Sequence, residues 1–135
     1  MIPSLMLAYV LAINGTTASV YGYREAYCGA PEAPEACVTG AVTSSGETFD
    51  SDVPSAAIAM PNNIRLRAGW VRLRLEDGEC KPIRLNDRKN PRYIGSHSRI
   101  DLSPAAVVTL GGKPSPTWSG RVFLCIGQNY LEASK

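Results

Sequence analysis

Apolar and polar positions alternate most cleanly between Ile64 and Leu75. Ile64 and Leu66 take turns with Arg65 and Arg67, and Val71, Leu73 and Leu75 with Arg72 and Arg74, the period of two that marks strands with one buried face. The apolar positions change parity near Ala68-Gly69. A one-residue shift sends every side chain to the opposite face, so a bulge, a bend or a second strand is expected there. Asp77-Gly78 is a hairpin turn signal, and residues 81–86 are the returning strand. Shorter strand signals fall at residues 16–23, at the small apolar run 56–60 stopped by Pro61-Asn62-Asn63, at residues 99–102, and at residues 120–127 around Val122-Phe123-Leu124. One helix is predicted: Ser103 as its N-cap, Pro104 in its first turn, and Gly111-Gly112 closing it after Leu110. Many short strands and one short helix predict a mainly β fold closed into a small barrel, since closure removes exposed edges.

The N-terminal run at residues 5–13 is apolar throughout. It is far short of the roughly 20 residues that span a bilayer, so no membrane span is expected. It reads either as a short secretory signal with Ala12 or Ala18 at the cleavage point, or as a first strand. The organisation expected is an N-terminal apolar segment at 1–15, one domain at 16–127 and a tail at 128–135. At 135 residues, 44% apolar and 19% charged, the chain suits one folded domain with a real core. Fourteen Lys and Arg against twelve Asp and Glu leave a net charge of +2, too weak a bias to indicate nucleic acid. The alternating arginines read as the wet face of strands, with a basic surface against an anionic wall polymer or a partner protein as the alternative.

The four cysteines lack the short paired spacing of a zinc site, and a single histidine removes most other metal sets. Disulfides are the better reading. Cys28 and Cys37 flank a Pro-rich loop that a bridge would staple, which leaves Cys80 with Cys125; the other two connectivities and four free thiols are the alternatives. Oxidised pairs imply an extracytoplasmic location: secreted, periplasmic or virion-borne. There is no Walker loop, dinucleotide fingerprint or nucleophile elbow, and no cofactor is implied.

Several segments in order carry a resemblance: Thr17-Ala18-Ser19-Val20-Tyr21-Gly22, Ser45-Gly46-Glu47-Thr48-Phe49-Asp50, Ala56-Ala57, Met60-Pro61, Leu85-Asn86-Asp87-Arg88, and Arg99-Ile100-Asp101-Leu102-Ser103 with Ala105-Ala106. Together they resemble the rare lipoprotein A-like double-psi β-barrel family, whose relatives include lytic transglycosylases, expansins and family 45 glycoside hydrolases. The resemblance implies a six-stranded double-psi barrel with a groove for an extended polysaccharide, in the rare lipoprotein A branch the glycan strand of peptidoglycan. It places catalytic positions on Glu47, on Asp87, and on a histidine position occupied here by Ile58. The expansin and family 45 branches place a catalytic acid at the position of Asp101. Departures are the missing histidine, Asp87-Arg88-Lys89-Asn90-Pro91 in place of Asp-Arg-Gly-Pro, and a longer loop before Asp101.

Glycosidic cleavage needs a proton for the leaving oxygen and stabilisation of an oxocarbenium-like transition state, which a pair of carboxyls can supply. A lytic transglycosylase uses the sugar's own 6-hydroxyl in place of water, so one acid that then acts as base suffices. Mutual repulsion of Asp87 and Asp101 is expected to raise the pKa of one of them. Against that, Asp87 has Arg84 and Arg88 as possible ion-pair partners, Asp101 precedes a helix N-terminus that lowers a carboxyl pKa, and Glu47 reads equally as a solvated turn carboxylate. Tyr21, Asn86, Arg88 and His97 are the candidate substrate contacts: Tyr21 as a stacking plane, Asn86 and Arg88 beside the acid, and His97 as a loop residue able to replace the lost histidine. Two functions compete, glycan-strand cleavage of the lytic transglycosylase type and a non-catalytic glycan-binding or structural barrel such as a phage tail or virion component. Envelope or virion proteins are the further partners expected.

Overall fold

The computed structural model describes residues 4–22, 40–125 and 131–132. Helix α1 (Ser4–Leu11) is followed by strands β1 (Thr17–Val20), β2 (Ser55–Ala59), β3 (Gly69–Leu75), β4 (Lys81–Lys89) and β5 (Ile100–Leu102), helix α2 (Pro104–Thr109), and strands β6 (Ser119–Leu124) and β7 (Leu131–Glu132). A 3-10 turn at Pro91–Tyr93 follows β4. All strands belong to one sheet in the order β4-β2-β5-β1-β6-β3-β7, and β4 also pairs with β3. The pairings of β1 to β6 therefore return to their starting strand. Two pairs are parallel, β1 with β5 and β2 with β4; the other four around the ring are antiparallel.

The period-two pattern explains what the ring encloses. Val71 and Leu73, Ile83 and Leu85, Ile100 and Leu102, Val122 and Leu124, with Ala18, Ala56 and Ile58, form one buried cluster, while the intervening arginines of β3 are only partly buried. The parity change at Ala68-Gly69 is the start of β3: residues 64–67 are not strand, and Leu66 turns into the core ahead of it. Ser103 caps α2, its Oγ accepting from Ala106 N at 3.1 Å, with Pro104 in the first turn as expected. The hairpin at Asp77-Gly78 joins β3 to β4.

The N-terminal run is helical, which corrects the strand alternative. Its Leu- and Met-rich composition favours helix, and Met6, Val10 and Ile13, spaced by four and three, are buried in the main cluster at 0–1% exposure. Leu5 and Leu11 face outward, so a uniformly apolar sequence masks a helical period. β4 runs three residues further than expected, and β6 ends at Leu124, with the two-residue β7 lying in the expected tail. Cys80 and Cys125 are joined, tying the β3–β4 turn to the end of β6; the expected Cys28–Cys37 bridge lies outside the described residues. No helix among the described residues is long and apolar enough to cross a membrane.

Candidate active site

A break in register creates the site. Along β2 and β4, Ser55 pairs with Arg84 and Ala56 with Leu85, but Ala57 pairs with Asp87, so Asn86 is an inserted residue. Without that bulge Asp87 would share the inward face of Leu85; with it, Asp87 shares the outward face of Arg84. On the other side of β2, Ala57 pairs with Asp101 of β5, and Asp101 pairs with Ser19 of β1. Lateral partners in a sheet put their side chains on one face, which lines up Asp87, Ala57, Asp101 and Ser19 across four strands. Two strand steps separate the Asp87 and Asp101 backbones by about 10 Å.

The floor between the two aspartates is small and covered. Ala57 packs with Tyr21 and Phe49 in a separate buried cluster on this face, the two rings 4.8 Å apart and tilted by 43°. The chain leaves Tyr21 through Gly22, whose φ of +105° favours glycine and whose missing Cβ makes room for Phe49. The Tyr21 hydroxyl is buried with no hydrogen bond of regular geometry. Burial, then the fields of Asp87 and Asp101, push its pKa well above that of a free phenol, opposed by Ser55. It stays protonated, within the electrostatic reach of both acids.

The three carboxyls have different partners. Glu47 is bound by Arg84 through Nε at 3.2 Å to both oxygens and through Nη2 at 2.5 Å, and it accepts from Asn86 Nδ2 at 3.1 Å. Arg84 holds its pKa below the usual carboxylate range, against partial burial. Asp101 accepts from Lys89 Nζ at 3.0 Å; burial raises its pKa and Lys89 opposes the rise. Asp87 takes backbone donors instead, Ser44 N at 3.0 Å and Arg88 N at 2.8 Å on Oδ1. Burial raises its pKa, and these donors, the Ser44 hydroxyl and the Arg88 charge only partly offset it. Desolvation, rather than the mutual repulsion expected, thus raises both aspartates, and the helix beyond Asp101 is not what sets its acidity.

The remaining candidates divide. Asn86 is buried behind the row, donating to Glu47 while its Oδ1 has no partner. Arg88 turns to the other face: it pairs with Ile58 in register, and its guanidinium bonds Pro61 O and, at 2.8 Å, Ile64 O. Neither Arg84 nor Arg88 uses its guanidinium on Asp87; the first holds Glu47 and the second holds a loop. Ile58 is fully buried in the main core. His97 is exposed, and its carbonyl accepts from Thr17 N at 2.8 Å at the start of β1, two residues along from Ser19. Lys89 was not singled out by the sequence; its signal is the spacing of two from Asp87, which puts both on one face of β4. Lys89 Nζ also lies 4.3 Å from the Tyr93 ring centroid. Surface hollows of about 490 and 470 Å3, one beside Trp118 and the other beside α2, are lined by other residues. Among the described residues no His, Cys, Asp and Glu group is placed to hold a metal.

No protein-family model matches the chain, and no curated protein matches it.

Proposed function

We propose that the chain is a rare lipoprotein A-like double-psi β-barrel that binds the glycan strand of peptidoglycan across the Asp87–Asp101 row and cleaves it by lytic transglycosylase chemistry with Asp87 as the acid. The closed circuit of six strand pairings, with two parallel pairs joining strands far apart in sequence, supports the barrel. The observation that carries the chemistry is the difference in what holds the carboxyls: Glu47 and Asp101 are held by cationic side chains, whereas Asp87, desolvated like Asp101, is held by backbone N–H groups. A raised pKa keeps a population of Asp87 protonated closer to neutral pH, as a general acid requires.

In this reading Asp87 delivers its proton to the glycosidic oxygen as the bond from that oxygen to the anomeric carbon breaks. The Asp87 carboxylate then takes the proton of the same sugar's 6-hydroxyl, whose oxygen closes on the anomeric carbon to give a 1,6-anhydro end. No water is consumed, and the acid returns to its starting state. Asp101, paired with Lys89, and the Tyr21 phenol shape the field around the developing positive charge. The Cys80–Cys125 bridge fits an oxidising, extracytoplasmic setting.

The second reading, a glycan-binding barrel without turnover such as a virion or phage-tail component, draws on Ile58, which puts an apolar core residue at the family's histidine position. Incubation with purified sacculi stripped of stem peptides, with mass spectrometry for anhydro-muropeptides, tests both. Product from the wild type and none from Asp87→Asn supports cleavage. Pelleting with sacculi but no product selects the binding module, and neither product nor pelleting overturns the glycan reading altogether.

A further inference from the structure

The turn that carries Glu47 is closed by its own hydrogen bonds. Thr43 N donates to Glu47 O at 2.7 Å and Gly46 N to Thr43 O at 2.9 Å, Thr43 Oγ1 donates to Glu47 O at 2.9 Å, and Glu47 N donates to Ser45 Oγ at 3.3 Å. Gly46, at φ +94°, supplies the left-handed residue the turn needs. Its outer residues Ser44 and Gly46 are exposed. What ties it to β4 is the Glu47 carboxylate on Arg84 and Asn86, the bond from Ser45 N to Asn86 O at 3.3 Å, and Ser44 N on Asp87. Arg84 is braced in turn by the Trp70 ring, 5.3 Å from its guanidinium carbon.

We infer that Glu47 is a positioning residue: clamped by Arg84 and Asn86, it holds the 43–47 turn against β4 so that the Ser44 N–H meets the Asp87 carboxylate. The inserted residue of β4 serves both ends of this device, since Asn86 is half of the clamp and its insertion turns Asp87 outward. A bidentate, charge-assisted pair is the strongest of these contacts, so it sets the register of the turn, and the Ser44 bond depends on it. This rests on the reading of Asp87 as the groove acid, but the contact it predicts is measurable without glycan.

The test is an NMR titration of the full chain, following the Asp87 carboxyl carbon and the Ser44 amide proton together. The groups in reach of Asp87 are Ser44 from the turn, the backbone N–H and charge of Arg88 on its own strand, and the Tyr21 phenol just after β1, and none of these is changed. In the wild type the Ser44 amide is expected to follow the Asp87 titration with the same midpoint, and in Asp87→Asn to lose that response. In Glu47→Ala the Ser44 amide should cease to follow Asp87 and the Asp87 midpoint should move, while amides of β2 and α2 keep their shifts. Unchanged coupling and an unchanged midpoint in Glu47→Ala overturn the inference. Should that variant not fold, Glu47→Gln decides: a smaller Ser44 response supports the clamp and a wild-type response overturns it. Sacculus assays with Asp87→Asn fail or succeed independently, so loss of the clamp and loss of the glycan reading are told apart.

Discussion

Replacing Lys89 with methionine tests the electrostatics of the row most directly. Lys89 and Asp101 form a 3.0 Å ion pair with side chains only 10% and 20% exposed, and burial already raises the Asp101 pKa against the pull of Lys89. Lys89→Met keeps most of the stem and removes the opposing charge, so the folded-state pKa of Asp101 rises further. The sign follows from linkage. A carboxyl whose folded pKa is raised contributes stability that is complete below its unfolded pKa and is lost as pH climbs through the folded value. In the variant that loss extends to higher pH, so its penalty against the wild type must grow from acid to neutral pH. Removing one partner of a buried pair costs about 3 to 5 kcal/mol, and with Asp101 one-fifth exposed the lower end, about 3 kcal/mol, applies at neutral pH. At about pH 3, where Asp101 is protonated in both proteins, what remains is the lost contact with Tyr93 and some repacking, about 1 kcal/mol. At about 4 °C per kcal/mol for a chain of this size, thermal melts should separate by roughly 12 °C at neutral pH and roughly 4 °C in acid. Adding Asp101→Asn should recover most of the neutral-pH deficit. A penalty that is flat with pH, or larger in acid, refutes the argument.

Three further outcomes are expected. Ile58→His places an imidazole in the closed core, not beside Asp87, so it should lower stability by roughly 2 to 4 kcal/mol in urea titrations and yield no gain of anhydro-muropeptides. Reducing Cys80–Cys125, which closes a separation of 45 residues, or replacing both by alanine, should cost about 4 kcal/mol on the chain-entropy estimate, read as a fall in the urea midpoint. Gly22→Ala brings a Cβ to 2.8 Å from Phe49 Cζ at φ +105°; it should destabilise by about 1 to 3 kcal/mol and shift the Tyr21 and Phe49 ring resonances, while an alanine at the open Gly95 leaves those rings unmoved.

The strands were legible because a half-buried strand writes its own period. Val71 and Leu73 against Arg72 and Arg74, and the Ser103-Pro104 helix start, are local signals and appear where expected. Helix α1 was not legible, because its outward Leu5 and Leu11 are as apolar as its buried Met6 and Val10. Cys80 and Cys125 were reached by elimination, and the bridge across their separation of 45 closes as expected. The site was legible as a set of residue types but not as an arrangement. Asp87 and Glu47 are both acids in a polar context, yet Arg84 takes one and the backbone of Ser44 the other.

By itself the order of residues determined the class of structure and the supply of acids, since alternation, capping and turn chemistry act over a few positions. Only the assembled ring decided which acids face outward together and in which direction the pKa of each is shifted. One inserted residue at Asn86 reverses the face of everything after it on β4, and the charge that tempers Asp101 comes from Lys89 on another strand. Register and desolvation are properties of neighbours brought from far along the chain, and no local pattern records them.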